Sequence, residues 1–174
     1  MRNLTTRLIS PVARLLCVVM LAFGVASTTE GSVFVSVAIA PPPIPVYVQP
    51  ACPGPNFIWI PGYWAWDAVG GYYWVPGYWA RAPYVGALWT PGWWGWGGSA
   101  YIWHPGYWGP HIGFYGGINY GFGYLGVGYG GGYWSGGAFR YNTAANNVNV
   151  TVVNNNIYSR PVAQATTSRV SFYG

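Results

Sequence analysis

Asp67, His104, His111 and Cys52, with Glu30 near the start, are the whole stock of carboxylate, imidazole and thiol groups beyond residue 17 of this 174-residue chain. Hydrolysis by paired carboxylates needs two acids within about 5 to 10 Å, and Asp67 is the only acid after residue 30. A Ser/His/Asp set can be drawn on paper from Ser99, His104 and Asp67, but no nucleophile-elbow pattern accompanies it. His104 and His111, seven positions apart, lack the third ligand of a catalytic zinc site. The glycine-rich stretch 121–132 has neither the strand-loop-helix context nor the lysine of a phosphate loop. The expectation is a protein with no catalytic residue, no metal site and no cofactor, and therefore not an enzyme.

What the chain has in abundance is aromatic: 12 Trp, 16 Tyr and 7 Phe, against 5% charged residues and no lysine. Ordinary soluble domains carry roughly 25% charged residues. Much of the tryptophan falls into one motif. Trp59-Ile60-Pro61-Gly62-Tyr63-Trp64 recurs as Trp74-Val75-Pro76-Gly77-Tyr78-Trp79, Trp89-Thr90-Pro91-Gly92-Trp93-Trp94 and Trp103-His104-Pro105-Gly106-Tyr107-Trp108, at offsets of 15, 15 and 14. Four copies of W-x-P-G-[YW]-W mark an internal repeat. His104 fills the slot of Ile60, Val75 and Thr90, which makes it an ordinary strand position.

The elements that carry the motif read as strands. Pro costs about 3 kcal/mol and Gly about 1 kcal/mol inside a helix, and the period fits one strand plus a turn. The predicted fold is all-β: an antiparallel meander with strands near 57–66, 72–81, 87–96 and 100–108, turning at 67–71, 82–86 and 97–99. The outer tryptophans of each motif are five apart, so a regular strand would point them to opposite faces. A bulge at Gly62, Gly77, Gly92 and Gly106 would bring them to the same face, with glycine supplying a positive φ.

The segments are expected to run as a leader (1–27), a leading strand and Pro-rich connector (28–55), the four repeats (56–110), a Gly/aromatic extension (111–141) and an Asn-rich strand with a C-terminal tail (142–174). Val33–Ile39 reads as the leading strand, and seven prolines between 41 and 55 make an extended spacer. Tyr120, Phe122 and Tyr124 alternate with glycine, and Val148, Val150 and Val152 alternate with polar residues, so both stretches read as strands.

At the start, Arg2, Arg7 and Arg14 precede an apolar run, Leu15–Ala26, followed by small residues. This is the layout of a secretory signal peptide, and the run is too short to cross about 30 Å of hydrocarbon. No transmembrane span is read. Removing the leader leaves Arg81, Arg140, Arg160 and Arg169 against Asp67, with or without Glu30, a net charge of +2 or +3. Arginines that scattered form no phosphate-binding patch, which excludes nucleic acid as a partner. Cys52 is then the one cysteine left, a free thiol or half of an intermolecular bridge.

The motif resembles the bacterial WXXGXW repeat proteins, also described as YXWGXW repeat-containing proteins. The resemblance rests on Trp59-x-x-Gly62-x-Trp64 and its three successors, with Tyr73-Trp74 and Tyr101-x-Trp103 showing the tyrosine of the longer form, and continues through 107–124. It implies a small exported protein of periplasm, outer-membrane surface or medium, without established enzymatic activity. Some members resemble accessory lipoproteins of contact-dependent inhibition loci, but no lipobox matches here.

Residues 56–141 hold 29 aromatics and only 11 Ile, Leu or Val. Cross-strand Trp and Tyr pairs, each worth about 0.5–1.5 kcal/mol beyond area burial, must therefore build the core. An exposed aromatic face would bind a partner. Candidate packing or binding residues are Trp59, Tyr63, Trp64, Trp74, Tyr78, Trp79, Trp89, Trp93, Trp94, Trp103, Tyr107 and Trp108. The expected role is structural or interactive in the cell envelope, through another envelope protein or self-association, with glycan binding as the alternative. The leader carries its own test: N-terminal sequencing of protein from an envelope fraction should begin between Ser27 and Val33, and an intact Met1 would contradict it.

Overall fold

The computed structural model describes residues 35–162 and 170–174. The leader, the first residues of the leading strand and Arg169 lie outside them. The described residues belong to one compact unit and contain strands and turns but no helix. All-β is thus the observed class.

A short strand, β1 (Ser36–Val37), precedes the proline segment. The repeats then supply β2 (Phe57–Ile60), β3 (Tyr63–Asp67), β4 (Gly71–Val75), β5 (Tyr78–Arg81), β6 (Leu88–Thr90), β7 (Trp93–Trp96), β8 (Tyr101–His104) and β9 (Tyr107–Gly109). Each predicted strand is broken in two at its Pro-Gly pair. The broken halves nevertheless belong to one ribbon: Ile60 pairs with Tyr78 and Tyr63 with Val75, an unbroken register that sets Pro61 across from Gly77 and Gly62 across from Pro76. The second ribbon repeats this with Thr90 opposite Tyr107 and Trp93 opposite His104. Neither proline can donate to the ladder, so hydrogen bonding lapses on both strands at the same level.

Two expectations are corrected here. The repeats make two separate hairpin ribbons rather than one four-stranded meander, because no ladder joins β5 to β6. Their connector, 82–87, contains Pro83 and closes as a turn from the Ala87 N–H to the Tyr84 carbonyl, with Gly86 at φ 98°. The turns read at 67–71 and 97–99 do close hairpins, the second running on to Ala100. The bulge is also absent: equal numbers of residues face each other across the Pro-Gly level, and Gly62, Gly77, Gly92 and Gly106 do not have positive φ.

Glycine is required there for proximity. A Cβ on Gly77 would lie 2.5 Å from the Trp59 indole and 2.8 Å from the Gly62 nitrogen, and one on Gly62 would strike the Trp74 indole. In the second ribbon Trp89 covers Gly106 and Trp103 covers Gly92. Trp and Gly of neighbouring repeats are diagonal cross-strand neighbours, so each motif's first tryptophan lies over the other motif's glycine. The tryptophans also face one another directly: Trp59–Trp79 and Trp89–Trp108 meet with centroids 5.4 Å apart and planes at 66° in both ribbons. Trp74 and Trp79, five apart, both pack on the cluster containing Trp59. For Trp74 and Trp79 the gathering is thus achieved through a close crossing of two strands.

The rest of the chain wraps the ribbons. Strands β10 (Asn119–Gly121) and β11 (Tyr124–Leu125) form a tight hairpin turning at Phe122 and Gly123, φ 50° and 94°. The alternating strand expected over 120–124 is thus folded back at Phe122, whose ring packs on Tyr47 and Trp59. Strands β12 (Gly132–Ser135) and β13 (Ala138–Asn142) turn at Gly136-Gly137, both at positive φ as a two-residue type I′ hairpin demands. Strand β14 (Ile157–Tyr158) joins β13 in parallel, and β15 (Phe172–Tyr173) joins β7 in parallel, giving the sheet order β1-β8-β7-β15.

The Asn-rich strand is corrected to a series of turns. The Asn149 side-chain oxygen accepts from the Thr151 N–H, Asn154 and Asn155 adopt positive φ, and the buried valine is Val153 rather than one of the alternating three. Asparagine's affinity for its own backbone outcompetes the period-two pattern. The proline segment also differs from a free spacer. Ile44, Gln49 and Cys52 are buried, and its carbonyls at Pro43 and Pro50 accept from the indoles of Trp64 and Trp79 at 3.3 and 2.8 Å.

Substituting Gly77→Ala should cost about 1–3 kcal/mol in denaturant unfolding through overpacking. Gly70→Ala, whose added carbon would meet only the Asp67 carboxylate at 3.4 Å, should change stability by less than about 0.5 kcal/mol. Equal effects would contradict the close-crossing account.

Candidate functional site

The structure divides the twelve motif aromatics by position. The first and last tryptophans of the motifs face inward or pair across the ribbon: Trp59 is fully buried, Trp94 nearly so, and Trp64–Trp74 and Trp94–Trp103 meet at 5.4 Å. The fifth-position rings, Tyr63, Tyr78, Trp93 and Tyr107, lie at the surface to differing degrees. Tyr78 is 53% and Tyr107 50% exposed, while Tyr63 and Trp93 are half-buried.

These rings head two aromatic surfaces. On the first ribbon burial raises the Tyr63 hydroxyl above its ordinary value, and the neighbouring Tyr73 and Tyr78 add to the rise. Tyr63 also stacks on Trp103 at 5.1 Å, tying the ribbons together. On the second ribbon Trp93 stacks flat on His104 at 4.0 Å and 10°, with Phe114 and Tyr173 edge-on at 5.0 and 6.0 Å. Such a cluster presents apolar ring faces and polar edges together.

The scarce chemical groups do not gather into one site, and Asp67, His104 and Cys52 are in structural use. The exposed Asp67 caps its own turn, accepting from the N–H groups of Val69 and Gly70 at 2.9 and 2.7 Å. Those bonds, Gly70 first, hold its carboxyl below the ordinary aspartate range. His104 is the strand residue opposite Trp93, and His111 is exposed. No hydrogen bond links Asp67, Ser99 and His104 among the described residues, and no three His, Cys, Asp or Glu side chains gather there. Cys52 is a free, buried thiol donating to the Gly54 carbonyl at 3.2 Å, and burial pushes its pKa up. A thiol so placed is poorly nucleophilic.

Sequence reasoning missed the tyrosines that lock the two ribbons. The Tyr124 hydroxyl lies 2.8 Å from the Trp89 carbonyl and 3.3 Å from that of Trp59, so one residue reads the same backbone atom in both ribbons. Tyr120 donates to the Gly92 carbonyl at 2.6 Å, and Tyr47, inside the proline segment, donates to Tyr120 at 3.0 Å. Phe114 and Tyr173 were likewise unmarked, since neither lies in the repeat.

With this geometry in view, residues 54–80 match the WXXGXW repeat family in two copies. The match spans the first ribbon, one reciprocal Trp-over-Gly pair, within a fold that is all-β and aromatic-rich. No curated protein matches the chain, and no solved structure does. No helix among the described residues is long and apolar enough to cross a membrane.

Burial pushes Tyr47, Tyr72 and Tyr115 from 10.0 up to about 12. Unfolded tyrosines ionise near their ordinary value, so the folded state binds these protons more tightly. Its stabilisation is complete below pH 10 and is lost as pH rises toward about 12. Part of the tyrosinate absorbance should therefore climb in a late, steep step together with loss of near-ultraviolet circular dichroism. Absence of that coupled step would contradict the burial.

Proposed function

We propose that this is a non-enzymatic, exported envelope protein whose role is structural or interactive, exercised through the fifth-position aromatics of its repeats. The observation that carries the reading is the division of labour within the motif. Tryptophan and glycine are consumed in packing, while Tyr78 and Tyr107 stay half exposed. Exposed aromatic area beyond what a core requires is the usual mark of a contact surface. The dispersal of Asp67, His104 and His111 supports the non-enzymatic part, and the arginine-flanked apolar run at the start supports export.

A second reading, an envelope or extracellular glycan as the partner, is favoured by one feature. Trp93, His104, Phe114 and Tyr173 form a continuous ring cluster, and a repeating polymer could meet it and the Tyr63/Tyr73/Tyr78 surface together, raising the effective concentration of the second contact.

Fractionation of cells making the tagged full chain tests the first reading. Tyr78→Ala with Tyr107→Ala should release the folded protein from the envelope fraction by roughly tenfold or more, the loss of about 1.4 kcal/mol. The Asp67/His104/His111 triple alanine variant should keep both retention and any deletion phenotype. A folded triple variant without function would make the protein an enzyme instead. Aromatic-dependent pull-down on insoluble envelope polysaccharide would select the glycan.

A further inference from the structure

We propose that the outer edge of β4 pairs with β4 of a second copy of this chain, antiparallel and centred on Tyr73. The two ribbons are internal copies, and their edges are treated differently. In the second, β8 carries β1 on its outer edge, with Ser36 opposite Ile102, Val37 opposite Tyr101, and the Trp103 N–H donating to the Val35 carbonyl at 3.0 Å. The repeat alignment places β4 on β8 and Trp74 on Trp103. Among the described residues no strand lies beside β4 except β3, and no hydrogen bond from outside that hairpin reaches its backbone.

The edge is chemically open as well. Gly71-Tyr72-Tyr73-Trp74-Val75 contains no charge and no proline, the devices that normally close a sheet edge. Since the Trp103 N–H points away from its ribbon, the matching Trp74, and Tyr72 two residues earlier, direct their backbone groups outward.

That pattern is self-complementary. Antiparallel pairing about Tyr73 sets Tyr72 opposite Trp74 of the copy and Trp74 opposite its Tyr72, each pair exchanging N–H···O bonds. Tyr73 then faces its own counterpart at a non-hydrogen-bonded position, Cα atoms about 4.5 Å apart, and covers a ring now 52% exposed. A two-fold axis satisfies both open edges at once and closes the assembly. The product is a four-stranded sheet, β3-β4-β4-β3, matching the four strands that the second ribbon assembles within one chain. The envelope reading is not needed for this pairing, which stands on register alone.

Sedimentation of the purified full chain tests it. The parent should be a dimer at micromolar concentration, and Tyr73→Lys, which sets like charges face to face, a monomer with unchanged near-ultraviolet circular dichroism. Tyr73→Cys should form a disulfide-linked dimer on mild oxidation, while the parent, whose Cys52 is buried, does not. This second variant decides the matter should Tyr73→Lys fail to fold. A monomeric parent, a dimer that survives Tyr73→Lys without cross-linking at Tyr73→Cys, or cross-linking of Tyr73→Cys to another protein would overturn the proposal. Retention in the envelope by a chain that stays monomeric would count against the pairing alone, and an intact dimer that is not retained against the envelope reading alone.

Discussion

The contact on which the architecture turns is an indole lying over a glycine of the opposing strand, made reciprocally by neighbouring repeats. At the Pro-Gly level both strands surrender hydrogen bonds, because neither proline has an N–H to offer. The absent Cβ of Gly62 and Gly77 lets the backbones draw together and lets Trp74 and Trp59 close over the gap. Tryptophan is the side chain with enough area to replace what the ladder loses. One motif alone cannot make the contact, since its tryptophan needs another motif's glycine; the repeat therefore works in pairs, and four copies give two ribbons.

From that contact the remaining organisation follows. The two ribbons are joined by side chains: Trp94 donates its indole N–H to the Trp64 carbonyl at 2.8 Å, Tyr63 stacks on Trp103, and Tyr72 meets Trp94 edge-on at 5.2 Å. Tyrosine hydroxyls from the Gly-rich extension then bond backbone carbonyls of both ribbons. Tyr124 reaches Trp59 and Trp89, and Tyr120 reaches Gly92. Burying a carbonyl without a partner costs about 1–3 kcal/mol, so these tyrosines complete the ribbons. A core with few aliphatic residues can be assembled this way because each aromatic brings both apolar area and, in Tyr and Trp, a donor.

The same economy leaves little for chemistry. The single carboxylate of the repeats is used to cap a turn, one imidazole is stacked on an indole, and the thiol is enclosed. Of the motif's own aromatics, the exposed ones are Tyr78 and Tyr107, both at the fifth position.

Strand rather than helix, the unit of repetition, the hairpin turns at 67–71 and 97–99 and the dependence on aromatic packing were all determined by the sequence, because Pro-Gly excludes helix and the spacing fixes strand length. Five-residue spacing of the outer tryptophans also required an irregularity between them. Its form was decided only in three dimensions: a bulge and a symmetric crossing place the same residues in the same order and differ in which glycine lies beneath which indole, a relation between residues of different repeats. The partition into two ribbons, the docking of the proline segment through indole donors and the capping of carbonyls by Tyr47, Tyr120 and Tyr124 are long-range for the same reason. The valine alternation of 148–152 misled because period two is a local signal, and asparagine side chains that bond their own backbone are a stronger local signal still.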